Sequence, residues 1–205
     1  MKWFVLGCIC VFAAHAWAID LVRDGQAVGE FVLASDASRP EVFATTDARH
    51  WIQEITGAKV PIVSTPSATQ KPRVYVGRGW AEKLFKNDLA KLEGNDGFAI
   101  REKDGNVYVF GSRPRGTMYG VFALLENNSD IIWARPNKEF GTVFGHHDDL
   151  ALTQIDVLDI PVFWYRGLGG GYPFHEATGD WQLHNRNNHG GRGLGEPEWD
   201  LLNTL

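Results

Sequence analysis

The segment 97–111, GFAIREKDGNVYVFG, constrains the fold more than any other stretch of the chain. Two runs rich in β-branched and aromatic residues flank Asp104-Gly105, a dipeptide that accepts the positive φ angles of a tight hairpin turn. So short a link leaves only antiparallel pairing. The run that follows, GSRPRGTMYGVFALLE (111–126), reads as a helix. Pro114 presets its first turn, and Met118, Val121, Phe122 and Leu125 recur at helical spacing. Gly116 and Gly120 remove side chains where such a helix must lie close to a sheet. A hairpin with a helix laid over it is the nucleus of an α+β fold.

The preceding sequence extends this pattern. IDLV, Asp24-Gly25 and AVGEFVLA read as two short strands joined by a tight turn. RPEVFATTDARHWIQEITG reads as a helix, with Ala44, Ala48, Trp51, Ile52 and Ile55 on one face, Pro40 in the first turn and Gly57 as the stop. KVPIV and RVYVG are strand-like and are separated by the polar STPSATQKP, and WAEKLFKNDLAKLEG is a helix ending at Gly94. Beyond the hairpin and its helix come DIIWA, a loop with Pro136, and the apolar pieces GTVF and LTQIDVL. Interleaved strands and helices, some joined as hairpins, predict a mixed β-sheet with helices packed on it over residues 19–150. A second unit is expected from residue 151, where DIPVFWYRGLGGGY is a strand-like run ending at Arg166 and a glycine-rich loop. DWQLHNRNNHGGRGLG begins helically and then dissolves into glycine.

At the N-terminus, Lys2 precedes the apolar WFVLGCICVFAA, and Ala16-Trp17-Ala18 follows. This reads as a secretory signal peptide, residues 1–18, cut after Ala18, which makes the mature chain secreted or periplasmic. No later segment approaches the ~20 apolar residues of a membrane span, so no membrane association is expected after cleavage. Cys8 and Cys10 are the only cysteines and both fall inside the leader, which leaves the mature chain without a disulfide, a zinc–cysteine site or a thiol nucleophile. The net charge of −5 and the lack of a clustered basic face argue against a nucleic-acid partner. Eight Trp, 12 Phe and 5 Tyr are enough both to build a core and to stack on sugar rings, with core packing the default.

Few residues stand out as candidates for chemistry. Arg113 and Arg115, beside the open N–H groups of a helix start, form a candidate anion site for a phosphate or carboxylate. The spacing there is neither GxGxxG nor GxxxxGK[ST], and self-capping by local groups is the competing reading. Arg166 offers a planar fork for a sugar hydroxyl or a uronate carboxylate, with an internal salt bridge as the alternative. Trp181, Asn185, Arg186, Asn187 and Asn188 form a polar, aromatic segment that either lines a sugar site or caps a helix. The substrate-binding candidates are therefore Arg166, Trp181 and Asn187. His146, His147, His175, His184 and His189 are scattered over loops without HxxxH spacing, so no metal is expected, and no cofactor. Asp148, Asp149, Asp156 and Asp159 read as solvated loop acids.

The stretch DGFAIREKDGNVYVFGSRPRGTMYGVFALLENNSDIIWARP resembles the N-terminal domain that precedes the barrel in alpha-glucuronidases, with related domains in beta-hexosaminidases and bacterial glycosidase-like proteins. The likeness spans residues 19–144, and PVFWYRG with WQLHNRNNH extends it to about residue 189. It departs at NNSD, where the family carries a glycine before the tryptophan strand. The resemblance implies a mixed sheet with two helices on one face, not itself catalytic, followed by the truncated start of a (β/α)8 barrel at 151–205. PVFWYRG would be the first barrel strand, placing Arg166 at the C-terminal end where barrel active sites are built. The paired carboxyl groups that glycoside hydrolysis needs would come from later strands, so no catalytic residue is expected in this chain. The implied partner is a polysaccharide or a uronic-acid-containing oligosaccharide held by the barrel, and the chain alone would be inactive. The alternative is a non-catalytic module that binds carbohydrate or a partner protein.

Overall fold

The computed structural model describes residues 18–69, 71–167 and 177–188. The expected signal peptide, apart from Ala18, lies outside them. The predicted hairpin forms as β6 (Phe98–Lys103) and β7 (Asn106–Gly111), with Asp104 at φ 53° and Gly105 at φ 73° closing the turn. Its helix is α4 (Pro114–Asn128), and the earlier helix is α1 (Arg39–Thr56). Local chemistry fixes both ends of α1. The Ser38 N–H and hydroxyl both donate to the Glu41 carboxylate, at 2.9 and 2.7 Å, and Gly57 closes the last turn at φ 74° with its N–H bonded to the Gln53 carbonyl.

The main sheet has six strands in the order β11 (Val157–Asp159), β6, β7, β5 (Arg73–Val76), β3 (Glu30–Leu33) and β4 (Ile62–Val63). Pairing is antiparallel from β11 to β7 and parallel from β7 to β4, so the sheet is mixed. Alternation along the hairpin gives each face its own core. Phe98, Ile100, Val107 and Val109 pack with α1 and α4. Ala99, Tyr108 and Phe110 pack with two short helices, α2 (Arg78–Ala81) and α3 (Lys86–Leu92), on the other side. The expected pair of helices on one face is α1 and α4. Both glycines of α4 lie against the sheet side: a β-carbon on Gly116 would overlap the Gly97 carbonyl, and one on Gly120 would press on Val109 and Phe98.

Three local expectations are corrected. AVGEFVLA is not one strand: β2 (Gln26–Ala27) pairs with β1 (Ile19–Arg23), while β3 joins the main sheet. The N–H groups of Val28 and Gly29 both bond to the Leu21 carbonyl, and this bend carries the chain from one sheet to the other. WAEKLFKNDLAKLEG is broken into α2 and α3, the break falling where the Leu84 and Phe85 N–H groups turn back onto the Ala81 carbonyl. PVFWY forms no strand among the described residues, and Val162, Phe163 and Trp164 are exposed.

The boundary expected at residue 150 falls inside the sheets. β10 (Leu150–Leu152) pairs antiparallel with β1, and β11 with β6, because the apolar LTQIDVL supplies the edge that each sheet lacks. Leu150, Leu152 and Ile155 are buried in the main core, as is Leu183 of α5 (Thr178–His184). A small ribbon of β8 (Ile132–Trp133) and β9 (Thr142–Val143) completes the elements. After it the 145–149 loop covers the end of α1: the His147 N–H donates to the Ile55 carbonyl at 2.9 Å, and His146 Nδ1 lies 3.1 Å from the Glu54 carbonyl.

Candidate functional site

The sequence candidates converge on one place, the N-terminal end of α4. Arg113 is its N-cap residue in extended conformation, and Arg115 follows two residues later in the first turn, with only 2% of its surface exposed. The turn 96–97 wedges against them because Gly97 and Gly116 have no side chains to keep the backbones apart. This places the Asp96 carboxylate, nearly buried, between segments far apart in sequence. Its Oδ2 accepts from Asn188 Nδ2 at 3.0 Å and from Arg166 at 3.5 Å, and its Oδ1 lies 4.0 Å from Arg113.

Arg166 is occupied by protein acceptors. Its Nε donates to the Arg186 carbonyl and one terminal nitrogen to the Phe163 carbonyl, both at 2.9 Å, and the guanidinium lies 5.6 Å from the centre of the Tyr119 ring. Its own N–H donates to Asn188 Oδ1 at 2.7 Å. Arg115 donates to the Asn188 carbonyl at 3.0 Å and the Tyr119 hydroxyl to the Asn187 carbonyl at 2.8 Å. Trp181 sits apart from this cluster, on α5, its indole N–H donating to the Trp133 carbonyl at 3.0 Å. Arg113, Arg115, Arg166 and Asn187 are thus brought together by a clasp of tail against helix, and Trp181 is a packing contact beside it. Asp96 and Tyr119 were absent from the sequence candidates, and Asn188 entered only as a member of the polar segment 185–188. Asp96 reads locally as half of an Asp-Gly turn, which hides its long-range role.

A second polar cluster seats α5. His184, expected on a loop, is buried on this helix, its Nε2 2.7 Å from Asp47 Oδ2 of α1. Its ring stacks on Trp133 with centroids 3.8 Å apart and planes 15° from parallel, and it meets Phe122 edge-on at 4.7 Å. Two residues on, Arg186 pairs with Glu126 of α4. Burial raises the Glu126 carboxyl above the ordinary range, against the opposing pull of Arg186, Trp133 and His184. Elsewhere, His147 pairs with Asp130 at 3.1 Å, and that hydrogen bond together with the Gly145 N–H holds Asp130 below the usual carboxylate value. Among the described residues no three His, Cys, Asp or Glu side chains gather in a metal-binding group, and no helix is long and apolar enough to cross a membrane. His175 and His189 lie outside the described residues.

Fold and site together define a mixed-sheet α+β domain whose α1 and α4 are fastened to residues 166–188 by polar clasps. A family comparison narrows this further: residues 23–124 match the model of the Glycosyl hydrolase family 67 N-terminus. No curated protein matches the chain. Among solved structures the chain is similar to a family GH115 4-O-methyl-alpha-glucuronidase, BtGH115A, with specificity for decorated arabinogalactans, at 20% identity and a TM-score of 0.40 over 50% of this chain and 13% of that one. A GH138 enzyme targeting pectin rhamnogalacturonan II is similar at 20% identity and a TM-score of 0.35, over 57% of this chain and 11% of that one. The beta-hexosaminidase of Streptomyces plicatus is similar at 14% identity and a TM-score of 0.41, over 73% of this chain and 24% of that one. The chain therefore spans less than a quarter of each of these proteins.

Proposed function

We propose that the chain is the N-terminal part of an exported glycoside hydrolase-like protein, its mixed-sheet domain a non-catalytic accessory unit. The observation that carries this reading is the family 67 N-terminus at residues 23–124. The accessory sheets close at Asp159, and the segment from residue 160 is the opening of a (β/α)8 barrel that acts on polysaccharide or on uronic-acid-containing oligosaccharide. Arg166, with its donors directed at protein acceptors, shapes the floor of the sugar site and ties it to Asp96. Trp181 and Asn187 support that floor from behind. The two carboxyl groups that cleave the glycosidic bond come from other strands of the barrel.

The test is an assay of this chain, and of the longer protein encoded with it, on aryl glycosides and glucuronoxylan oligosaccharides. Turnover by the longer protein with none by this chain is the expected result. Turnover by this chain alone would overturn the accessory reading, and saturable calorimetric binding of uronic-acid oligosaccharides to it would favour a carbohydrate-binding module.

A further inference from the structure

Every polar group of Asn188 is used, and together they join three pieces of the chain. Its N–H donates to the Arg166 carbonyl at 2.8 Å, and its Oδ1 accepts from the Arg166 N–H at 2.7 Å. Its Nδ2 donates to the Trp164 carbonyl and, at 3.0 Å, to Asp96 Oδ2, while its own carbonyl accepts from Arg115 at 3.0 Å. One residue thus fixes 164–166 alongside 186–188 and ties both to the domain. The seat that receives them is held by the domain's own contacts. The Gly97 N–H donates to Asn95 Oδ1 at 2.7 Å and the Ser112 hydroxyl to the Leu92 carbonyl at 2.6 Å, which sets the turn carrying Asp96 against the start of α4. Arg115 and Tyr119 belong to α4 itself and are buried. Against this seat Arg186 takes φ 57°, a left-handed conformation that is costly for a residue with a β-carbon and persists only where its surroundings impose it. Here they do: its side chain pairs with Glu126, and its carbonyl accepts from Arg166 Nε at 2.9 Å.

We propose that the 95–97 turn and the first turns of α4 are a folding template for the chain behind them: Asp96, Arg115 and Tyr119 seat residues 186–188, and Asn188 in turn sets the register of residues 164–166. The order follows from where the contacts lie. Residues 186–188 meet the domain at four side chains, those of Glu126, Tyr119, Arg115 and Asp96. Residues 164–166 reach it through the tip of Arg166, 3.5 Å from Asp96 and 5.6 Å from the centre of the Tyr119 ring, and are bonded to Asn188 and Arg186. Partners already fixed on a folded element demand less ordering than two loose segments meeting each other. Asparagine suits position 188 because its amide accepts on one side and donates on the other. A carboxylate there would set one acceptor against two more, Asp96 and the Trp164 carbonyl. The template stands apart from the glycosidase reading, since both segments belong to this chain.

Hydrogen exchange of the full chain, followed at residues 164–166, at 186–188 and in the 98–111 hairpin as an internal reference, tests this. Asn188→Asp keeps the shape but turns the donor into an acceptor, and should lower protection in both segments by about tenfold or more while the hairpin is unchanged. Adding Asp96→Asn to it restores a donor facing an acceptor across the same gap, and should recover part of the loss. Tyr119→Phe removes the hydroxyl bonded to the Asn187 carbonyl, and should loosen 164–166 along with 186–188. Protection at 164–166 that Tyr119→Phe leaves intact, or no recovery in the Asp96→Asn, Asn188→Asp double variant, would overturn the template.

Discussion

Ile19 faces Leu152 across an antiparallel strand pair, so the opening strand of the domain is held by a residue beyond the expected boundary at 150. The same sheet is bound again at its turn, where the Gly25 N–H donates to the Asp148 carbonyl at 2.7 Å and the Asp24 N–H to the Asp149 carboxylate at 2.7 Å. The first and last described strands of this sheet are therefore one cooperative piece.

A chain ending at Leu150 should fail to fold cooperatively. It loses the buried Leu152 and Ile155 and the edge strand β11, and each fully buried side chain of this size is worth about 1.5–3 kcal/mol. The sum is a large part of the ~5–15 kcal/mol that a domain has in total. Thermal melts by circular dichroism should show a sigmoidal transition for a chain ending at residue 188 and a broad drift for one ending at 150. Matching melts for the two would contradict the shared core.

Gly116→Ala should destabilise by about 1–3 kcal/mol, because the obstacle is the Gly97 backbone rather than a movable side chain. Gly79→Ala, in α2 with nothing within 4 Å of the new methyl, should be neutral or stabilise by up to about 1 kcal/mol. Melting temperatures of the two variants should move apart. Equal shifts would mean that α4 is not seated on the turn at 96–97.

What the sequence disclosed about this region follows from range. The hairpin, α1 and α4 were legible because their signals are local: Asp104-Gly105, Pro40 and Gly57 bracketing the spacing from Ala44 to Ile55, and helical spacing from Met118 to Leu125. The split after Ala27 was not, since it depends on the Leu21 carbonyl catching two N–H groups across a turn. Of the candidate site, the arginines were found as residue types, but their occupation was hidden. Asp96 meets Arg166 and Asn188 from 70 and 92 positions away, and no local pattern carries that pairing.

Glu30 gives the main sheet an acid-sensitive anchor. It is buried, its carboxylate accepting from the Ser67 N–H at 3.0 Å, the Ser67 hydroxyl at 2.6 Å and Arg73 Nε at 3.0 Å. Burial alone would push this carboxyl up, but the Ser67 donors and Arg73 together outweigh it and hold it below the ordinary glutamate value. A depressed folded value means that the stabilisation is present above the unfolded pKa and is lost as pH falls through the folded one. Glu30→Ala should cost about 3–5 kcal/mol near neutral pH, because it removes the only carboxylate paired with Arg73 among the described residues and leaves its guanidinium the Ser67 and Thr69 carbonyls alone. Urea denaturation should show that gap narrowing in acid. A gap independent of pH would mean the carboxylate is not ionised in the fold.

The exposed side chains of Val162, Phe163 and Trp164 should make the chain self-associate. The chain bends at Val162 and Trp164, and Val162 is 90% exposed, Phe163 72% and Trp164 85%, so three consecutive apolar side chains are wet. One covering surface would not dry these three side chains, and apolar side chains this exposed recruit other chains. Sedimentation velocity should show concentration-dependent association. The double variant Val162→Lys with Trp164→Lys should reduce it sharply and leave the melting temperature unchanged, since neither side chain belongs to the buried clusters. A fall in melting temperature would place these side chains in the fold, and association that persists would move the sticky surface elsewhere.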